Sequence, residues 1–343
     1  MTGTARPPLR FAAIGLNHDH IYMQVDRMTA AGGALVSFHA AEDDLAADFL
    51  KAYPHAKRTA SQMEIMDDES IQLILTAAVP SERAGIGITA MRHGKHVMTD
   101  KPGATSRAQL DELKKVQAET GRIYSIYYEE RLESRATTRA LELVQAGAIG
   151  KFVHLIGLGP HLIRRAERPS WFFERARYGG IIADLGSHQC DQFIHFADTL
   201  DVEVSFARVA NRANPDVPDL QDFGEACLAA PDASGYIRLD WFTPKGLPVF
   251  GDCRLMIVGT EGTIEVRKYI DVGHAGSEDN LFLVDGTSIR RIDCSDVLLS
   301  YGQQLADDIL NRTETAMSQA RCFKAAELAL TAQAMTEAGA VIT

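Results

Sequence analysis

Apolar residues in the first third of the chain come in short runs, separated by stretches where they recur every three or four positions. The runs are Phe11–Gly15, Ala34–Phe38, Ile71–Thr76, His96–Thr99 and Ile123–Ile126, each of a length suited to a buried strand. Between them, Ile21–Ala31, Asp43–Ala52, Glu82–Arg92 and Ser106–Thr120 carry helical spacing. The last begins with Ser106 ahead of a carboxylate-bearing first turn, a start that caps exposed amides. Strands alternating with helices make βαβ units, so this part predicts a parallel α/β sheet in a domain of residues 1–127.

After a helical segment at Ser134–Ala146 the rhythm changes to runs of strand. These are Phe152–Leu158, Glu203–Ala210, Phe223–Ala230, Gly235–Trp241, Arg254–Val258, Thr263–Arg267 and Leu281–Val284. Turn pairs such as Glu261-Gly262 and Asp285-Gly286 punctuate them, which predicts mostly antiparallel pairing in an open sheet. A final amphipathic helix is expected over Ala316–Ala338. Residues 128–343 thus read as an α+β domain, and a sheet face with few helices to cover it predicts a homodimer or homotetramer through that sheet.

A length of 343 residues with 46% hydrophobic content supports two ordinary cores. The net charge of −11, from 35 basic against 46 acidic residues, argues against a nucleic-acid partner, whose phosphates need Lys and Arg, and favours small molecules. No run approaches the ~18 apolar residues of a membrane span. Thr4–Arg10 is short and holds two prolines, so no signal peptide is expected either. Five scattered cysteines, Cys190, Cys227, Cys253, Cys294 and Cys322, form no CxxC pair and read as reduced thiols of a cytoplasmic protein.

Three motifs carry candidate chemistry. Gly15-Leu16-Asn17-His18-Asp19-His20 stands at the first strand-to-helix turn, where a Rossmann dinucleotide site normally reads GxGxxG; only Gly15 survives. Asp100-Lys101-Pro102-Gly103 ends a strand of the same sheet, and a lysine there can hydrogen-bond a substrate hydroxyl and share its proton. In Gly179-Gly180-Ile181-Ile182-Ala183-Asp184-Leu185-Gly186-Ser187-His188-Gln189-Cys190-Asp191, spacings of four and then three place Asp184, His188 and Asp191 on one face of an otherwise apolar helix. Such polar groups need partners, which a hydroxyl-rich substrate supplies.

Together these motifs resemble the Gfo/Idh/MocA family of sugar and cyclitol dehydrogenases, with Tyr127-Tyr128-Glu129-Glu130-Arg131 and Val258-Gly259-Thr260-Glu261-Gly262 as further matching pieces in family order. Within it the chain most resembles the trehalose-utilisation type, through Gly15–Tyr22, Gly157-Leu158-Gly159-Pro160-His161 and Arg238–Pro244. The resemblance implies a Rossmann domain that binds the cofactor at Gly15, Leu16, Asn17, His18, His20, Ala78, Pro80, Asp100 and Lys101. It implies oxidation of a secondary hydroxyl of a sugar or polyol to a ketone, with hydride passing to nicotinamide C4. Lys101 then holds the reacting hydroxyl, His188 acts as general base or proton relay, and Asp184 holds a neighbouring hydroxyl. Arg131, His161 and Trp171 complete the expected substrate set. Phe38-His39-Ala40-Ala41 lacks the usual acidic residue at the second strand's end. Since Ser37–Leu50 holds no arginine and Glu42, Asp43 and Asp44 follow, NAD is expected in preference to NADP.

His18, Asp19 and His20 also suit a metal, but the i, i+2 spacing keeps the two histidines off one helical face, so no metal is expected. Arg164, Arg165 and Arg168 precede Trp171, an indole fit to stack on a sugar face, while His195 reads as structural. The rival functions are a metal-dependent lyase or hydrolase acting on a sugar, and a non-catalytic sugar sensor that kept the fold.

Overall fold

The computed structural model describes residues 8–274 and 277–337. The expectation for 4–7 and the last position of the final helix, 338, lie outside them; that helix is described as Gln319–Glu337. The chain forms two compact units. One holds the chain up to Ala104 with Ala108–Tyr127 and Ser300–Cys322; the other holds Thr105–Arg107, Tyr128–Leu299 and the chain from Phe323.

In the first unit six strands, β1 (Arg10–Ile14), β2 (Ala34–His39), β3 (Lys57–Arg58), β4 (Leu73–Thr76), β5 (His96–Asp100) and β6 (Tyr124–Tyr127), form one sheet in the order β3-β2-β1-β4-β5-β6. Every pairing is parallel. Phe11, Ala13, Leu73, Leu75, Val97 and Met98 are fully buried, because a parallel sheet covered on both faces gives its strands no solvent side. The strand order reverses between β1 and β4. That reversal opens the carboxyl edge of such sheets to ligands, and the segments after β1, β4 and β5 meet there.

The second unit carries β7 (Phe152–Pro160), β8 (Glu203–Ala210), β9 (Phe223–Ala230), β10 (Ala233–Asp240), β11 (Arg254–Gly259), β12 (Gly262–Arg267), β13 (Asn280–Asp285) and β14 (Ile289–Ile292). They form one sheet in the order β14-β13-β12-β11-β7-β10-β9-β8. Among the described residues of this sheet, only β7 and β10 pair in parallel. The expected fold class, a parallel sheet followed by a large, mostly antiparallel one, is therefore the observed one.

The helix Ser187–Phe196 packs on this sheet. A Cβ on Gly157 of β7 would stand 2.4 Å from Gln189 Oε1, so the missing side chain leaves room for the Gln189 amide against the sheet. The helix buries His188, Gln189, Asp191 and Gln192 to 1% exposure or less, an unusual load of polar groups for a core element. Asp184 does not belong to it. Residues Ile182–Gly186 form a wider π turn, so the regular spacing that predicted one shared face breaks, and Asp184 is half-buried where His188 and Asp191 are enclosed. Among the described residues no helix is long and apolar enough to cross a membrane.

Candidate functional site

The first group of candidate residues lies at the carboxyl edge of the parallel sheet. Gly15 follows β1 with φ +77°, and a Cβ there would stand 2.4 Å from Ala78 Cβ, so both conformation and space demand glycine. Leu16 is buried, and Asn17 Nδ2 donates to Glu42 Oε1 at 2.8 Å. Pro80 opens the helix Pro80–Arg92 at a position where its missing N–H costs nothing.

His18 and His20 meet, with ring centroids 4.1 Å apart. The expectation that their spacing separates them is corrected, because His18 lies in the turn before the helix His20–Ala30 rather than on its surface. His20 Nδ1 is 2.8 Å from Asp100 Oδ1, and His18 Nδ1 is 3.8 Å from Asp100 Oδ2. Asp19 is exposed. The ligand atoms of His18, His20 and Asp100 lie within 4.8 Å of one another, close enough to hold a cation. Arg83 Nη2 stands 2.9 Å from Asp100 Oδ2 and pairs with the same carboxylate.

Arg83 is the organising residue here. It is 1% exposed, donates from Nε to Ala78 O at 2.7 Å, and from Nη1 to Lys101 O. One guanidinium thus ties the segment after β4 to the Asp100-Lys101 segment. Burial would push the Asp100 carboxyl up, but Arg83 and then His20 hold it well below the usual carboxylate range. Burial and the neighbouring His20 hold His18 well below the usual histidine value, so it stays neutral. Sequence reasoning passed over Arg83. Its signal was an arginine in line with the buried stripe Ala84, Gly87, Ala90 and Met91 of its helix.

The window that showed no arginine near the end of β2 also missed Arg58. Pairing of β3 with β2 brings it there, with Nη2 donating to Ala40 O at 3.0 Å and standing 2.8 Å from Asp43 Oδ1.

The second group lies in the second unit. The short helix Glu129–Leu132 faces the helix Ser187–Phe196. His188 Nε2 stands 3.1 Å from Glu129 Oε1, and the Tyr128 ring meets the imidazole in a T-shaped contact with centroids 6.2 Å apart. Glu130, 1% exposed, accepts from Lys268 Nζ at 2.5 Å and Gln189 Nε2 at 2.8 Å. Burial would raise its carboxyl, but Lys268, then His188 and His161, lower it to about 2. Arg131 places two donors on Asp191, at 2.6 and 3.0 Å. Its Nε and Nη2 thereby help hold the Asp191 helix in place. His195 Nδ1 lies 2.8 Å from Asp191 O, a structural position.

His161 follows β7 with its ring 5.6 Å from Trp241 and 5.0 Å from Phe250. Arg168 lies over Phe172 at 4.4 Å and over Trp241 at 5.2 Å, while Arg165 pairs with Asp216. Trp171, expected beside the sugar, packs against Phe172 at 6.3 Å; the indole next to His161 is Trp241. Several buried polar atoms here have no hydrogen-bond partner among the described residues: His188 Nδ1, Glu130 Oε1, Trp241 Nε1 and Thr243 Oγ1. Buried polar atoms are rarely left so, and a ligand bearing hydroxyls would satisfy donors and acceptors alike.

Comparison with known proteins fits this arrangement. Residues 9–128 match the Gfo/Idh/MocA model described as an oxidoreductase family with an NAD-binding Rossmann fold, and residues 137–265 match the Gfo/Idh/MocA C-terminal domain. A crystal structure from Erwinia carotovora atroseptica SCRI1043 is 40% identical, with a TM-score of 0.93 over 96% of this chain and 98% of that one. Among curated relatives, the D-xylose dehydrogenase of Paenarthrobacter nicotinovorans is 24% identical over 194 residues, 54% of this chain and 48% of the relative. The NADP(+)-dependent scyllo-inositol 2-dehydrogenase of Bacillus subtilis (strain 168) is 24% identical over 143 residues, 42% of this chain and 39% of the relative. The chain spans about half the length or less of these two curated relatives.

Proposed function

The chain belongs to the Gfo/Idh/MocA oxidoreductase family, and we propose that it is an NAD-dependent dehydrogenase that oxidises a secondary hydroxyl of a sugar or sugar-like polyol to a ketone, or runs the reverse. The observation that carries this reading is the set of unsatisfied buried polar atoms around His188, Glu130, Trp241 and Thr243, in a family whose members include dehydrogenases of a pentose and a cyclitol. The likeness to trehalose-utilisation-type members points the same way, toward a neutral carbohydrate.

Gly15 supports a dinucleotide at the first turn, since its missing side chain lets the turn lie against Ala78. The residues that would hold the cofactor are Gly15, Leu16, Asn17, His18 and His20, with Ala78, Pro80, Asp100 and Lys101. When bound, the nicotinamide supplies the hydride acceptor. The protein's part is positioning and proton transfer. Lys101, fixed through its backbone by Arg83, binds the reacting hydroxyl. His188 serves as general base or relay, with Glu129 beside it, and Asp184 holds a neighbouring hydroxyl. His161 and Trp241 line the sugar, with Trp171 behind Phe172.

The same reading makes residues 1–127 the cofactor domain and 128–343 the substrate and oligomerisation domain, less Ser300–Cys322, which packs in the first unit. A cytoplasmic setting goes with the five free cysteines. Oligomerisation through the second sheet is supported by Val153, Met256 and Val284, which stand 38%, 45% and 39% exposed on its strands. Sedimentation of Met256→Glu at micromolar concentration checks this, a smaller assembly than the parent being expected.

The test of the function is to incubate the purified protein with NAD and a panel of neutral sugars and polyols and follow NADH absorbance, with and without a chelator. NADH formation that survives chelation is expected. Turnover that needs an added metal supports a lyase or hydrolase instead, and sugar binding without nicotinamide binding supports a sensor.

A further inference from the structure

The parallel sheet of the first unit has a second edge, where β4, β5 and β6 begin. A cavity of about 370 Å³ opens there, lined in part by Lys95, His96, Arg122 and Arg312. β5 runs from His96 to Asp100, so this edge lies about 13 Å from the Asp100 end at the usual rise per residue.

His96 is 6% exposed. Its Nδ1 accepts the backbone N–H of Ile123 at 3.0 Å, so the neutral ring carries its proton on Nε2. That nitrogen faces Arg122 Nη1 at 3.3 Å, and a guanidinium nitrogen only donates. Two donors therefore confront each other without an acceptor, an arrangement that is costly when buried. Protonation does not remove the conflict. Burial, then Arg122 and Arg312, lower the ring to about 4, so it is neutral at physiological pH. Among the described residues neither Arg122 nor Arg312 forms an ion pair with a carboxylate. Lys95, whose Nζ donates to Asp68 O at 2.6 Å, adds a further positive charge, and Glu69 is the one carboxylate among the lining residues.

We propose that this cavity binds a phosphate group, either as the free ion or as the terminal group of a small phosphate monoester. An oxyanion beside His96 and Arg122 accepts from both facing donors, and Arg312 meets its second charge. Two guanidiniums, an imidazole N–H and an ammonium offer more donors than a carboxylate can accept, whereas the oxygens and dianionic charge of phosphate match them. Arg122 is half-buried and Arg312 exposed, so the site is open to solvent. It is separate from the residues assigned to the dehydrogenase reaction and does not depend on that assignment.

The experiment is calorimetric titration of the full chain with inorganic phosphate and, separately, with glycerol 3-phosphate, in chloride buffer of constant ionic strength near neutral pH. Saturable single-site binding in the millimolar range or tighter is expected. Arg122→Gln and Arg312→Asn should each weaken it about tenfold or more, the scale of one lost charge-assisted hydrogen bond. Asparagine is chosen at 312 because the backbone there has φ 60°, which Asn tolerates. Melting without phosphate identifies a variant that fails to fold, and the exposed Arg312 keeps the test valid if Arg122→Gln does. Tighter binding of the ester assigns the site to a metabolite, and equal affinities assign it to the free ion. No saturation by either probe up to about 20 mM, or folded variants that bind like the parent, overturns the proposal.

Discussion

His188 and Glu129 face each other across two helices of the second unit, with Nε2 3.1 Å from Oε1 and the imidazole wholly enclosed. A carboxylate beside a buried imidazole orients the ring and stabilises the imidazolium that forms when it takes a proton. His188→Ala is therefore expected to lower turnover by about 10²-fold or more and to change the pH–rate profile. Glu129→Gln should lower kcat with less effect on KM. Steady-state rates across pH check both, and parent-like behaviour of His188→Ala would make this helix purely structural.

Lys101 and Arg83 separate chemistry from support. Lys101→Ala should cost at least ~10²-fold in rate while leaving cofactor affinity and melting temperature nearly unchanged. Arg83→Met should instead destabilise the fold by about 3 to 5 kcal/mol, because it leaves the buried Asp100 carboxylate without its main partner. Denaturant titration beside single-turnover kinetics distinguishes the two, and a stable, slow Arg83→Met would move Arg83 into the chemistry.

Stability should fall with acid in two windows. His96 drops from 6.5 to about 4 in the folded state, so the unfolded chain binds more protons between those values and stability is lost as pH falls through them. Glu130 drops from 4.5 to about 2, which adds a second loss with the same sign below pH 4.5. Each shift is worth on the order of 3 kcal/mol. Melting temperature against pH in phosphate-free buffer checks this. The double variant Glu130→Gln with Lys268→Met should reduce the loss in the lower window and leave the upper one unchanged, the remaining low-pH loss coming from groups such as Asp100.

The cofactor should be NAD. Glu42, hydrogen-bonded to Asn17, places a carboxylate beside the turn, and Arg58, near the end of β2, is paired with Asp43. NADP should bind several-fold more weakly, since carboxylates repel its 2′-phosphate. Arg58→Ala should leave NAD affinity unchanged. Calorimetry with both cofactors settles the preference; tighter NADP binding that is lost in Arg58→Ala would reverse it.

Local pattern alone located the strands around Gly15 and Lys101, because a strand covered on both faces must be apolar throughout and its polar functional residues then fall at its end. It also located His188, as a polar residue on an apolar helix. It did not find Arg83, Arg58 or Trp241. Their positions depend on β3 pairing with β2, on the turn that brings Ala78 to Lys101, and on the approach of Trp241 to His161 from 80 residues away. Lys268 meets Glu130 across 138 residues of sequence, and Ser300–Cys322 returns to the first unit. A sequence period reports which side of an element is buried, not which element covers it. The sequence therefore determined the two sheets and the residue types of the proposed site, whereas tertiary packing decided which charges are neutralised and which buried polar atoms are left unpaired.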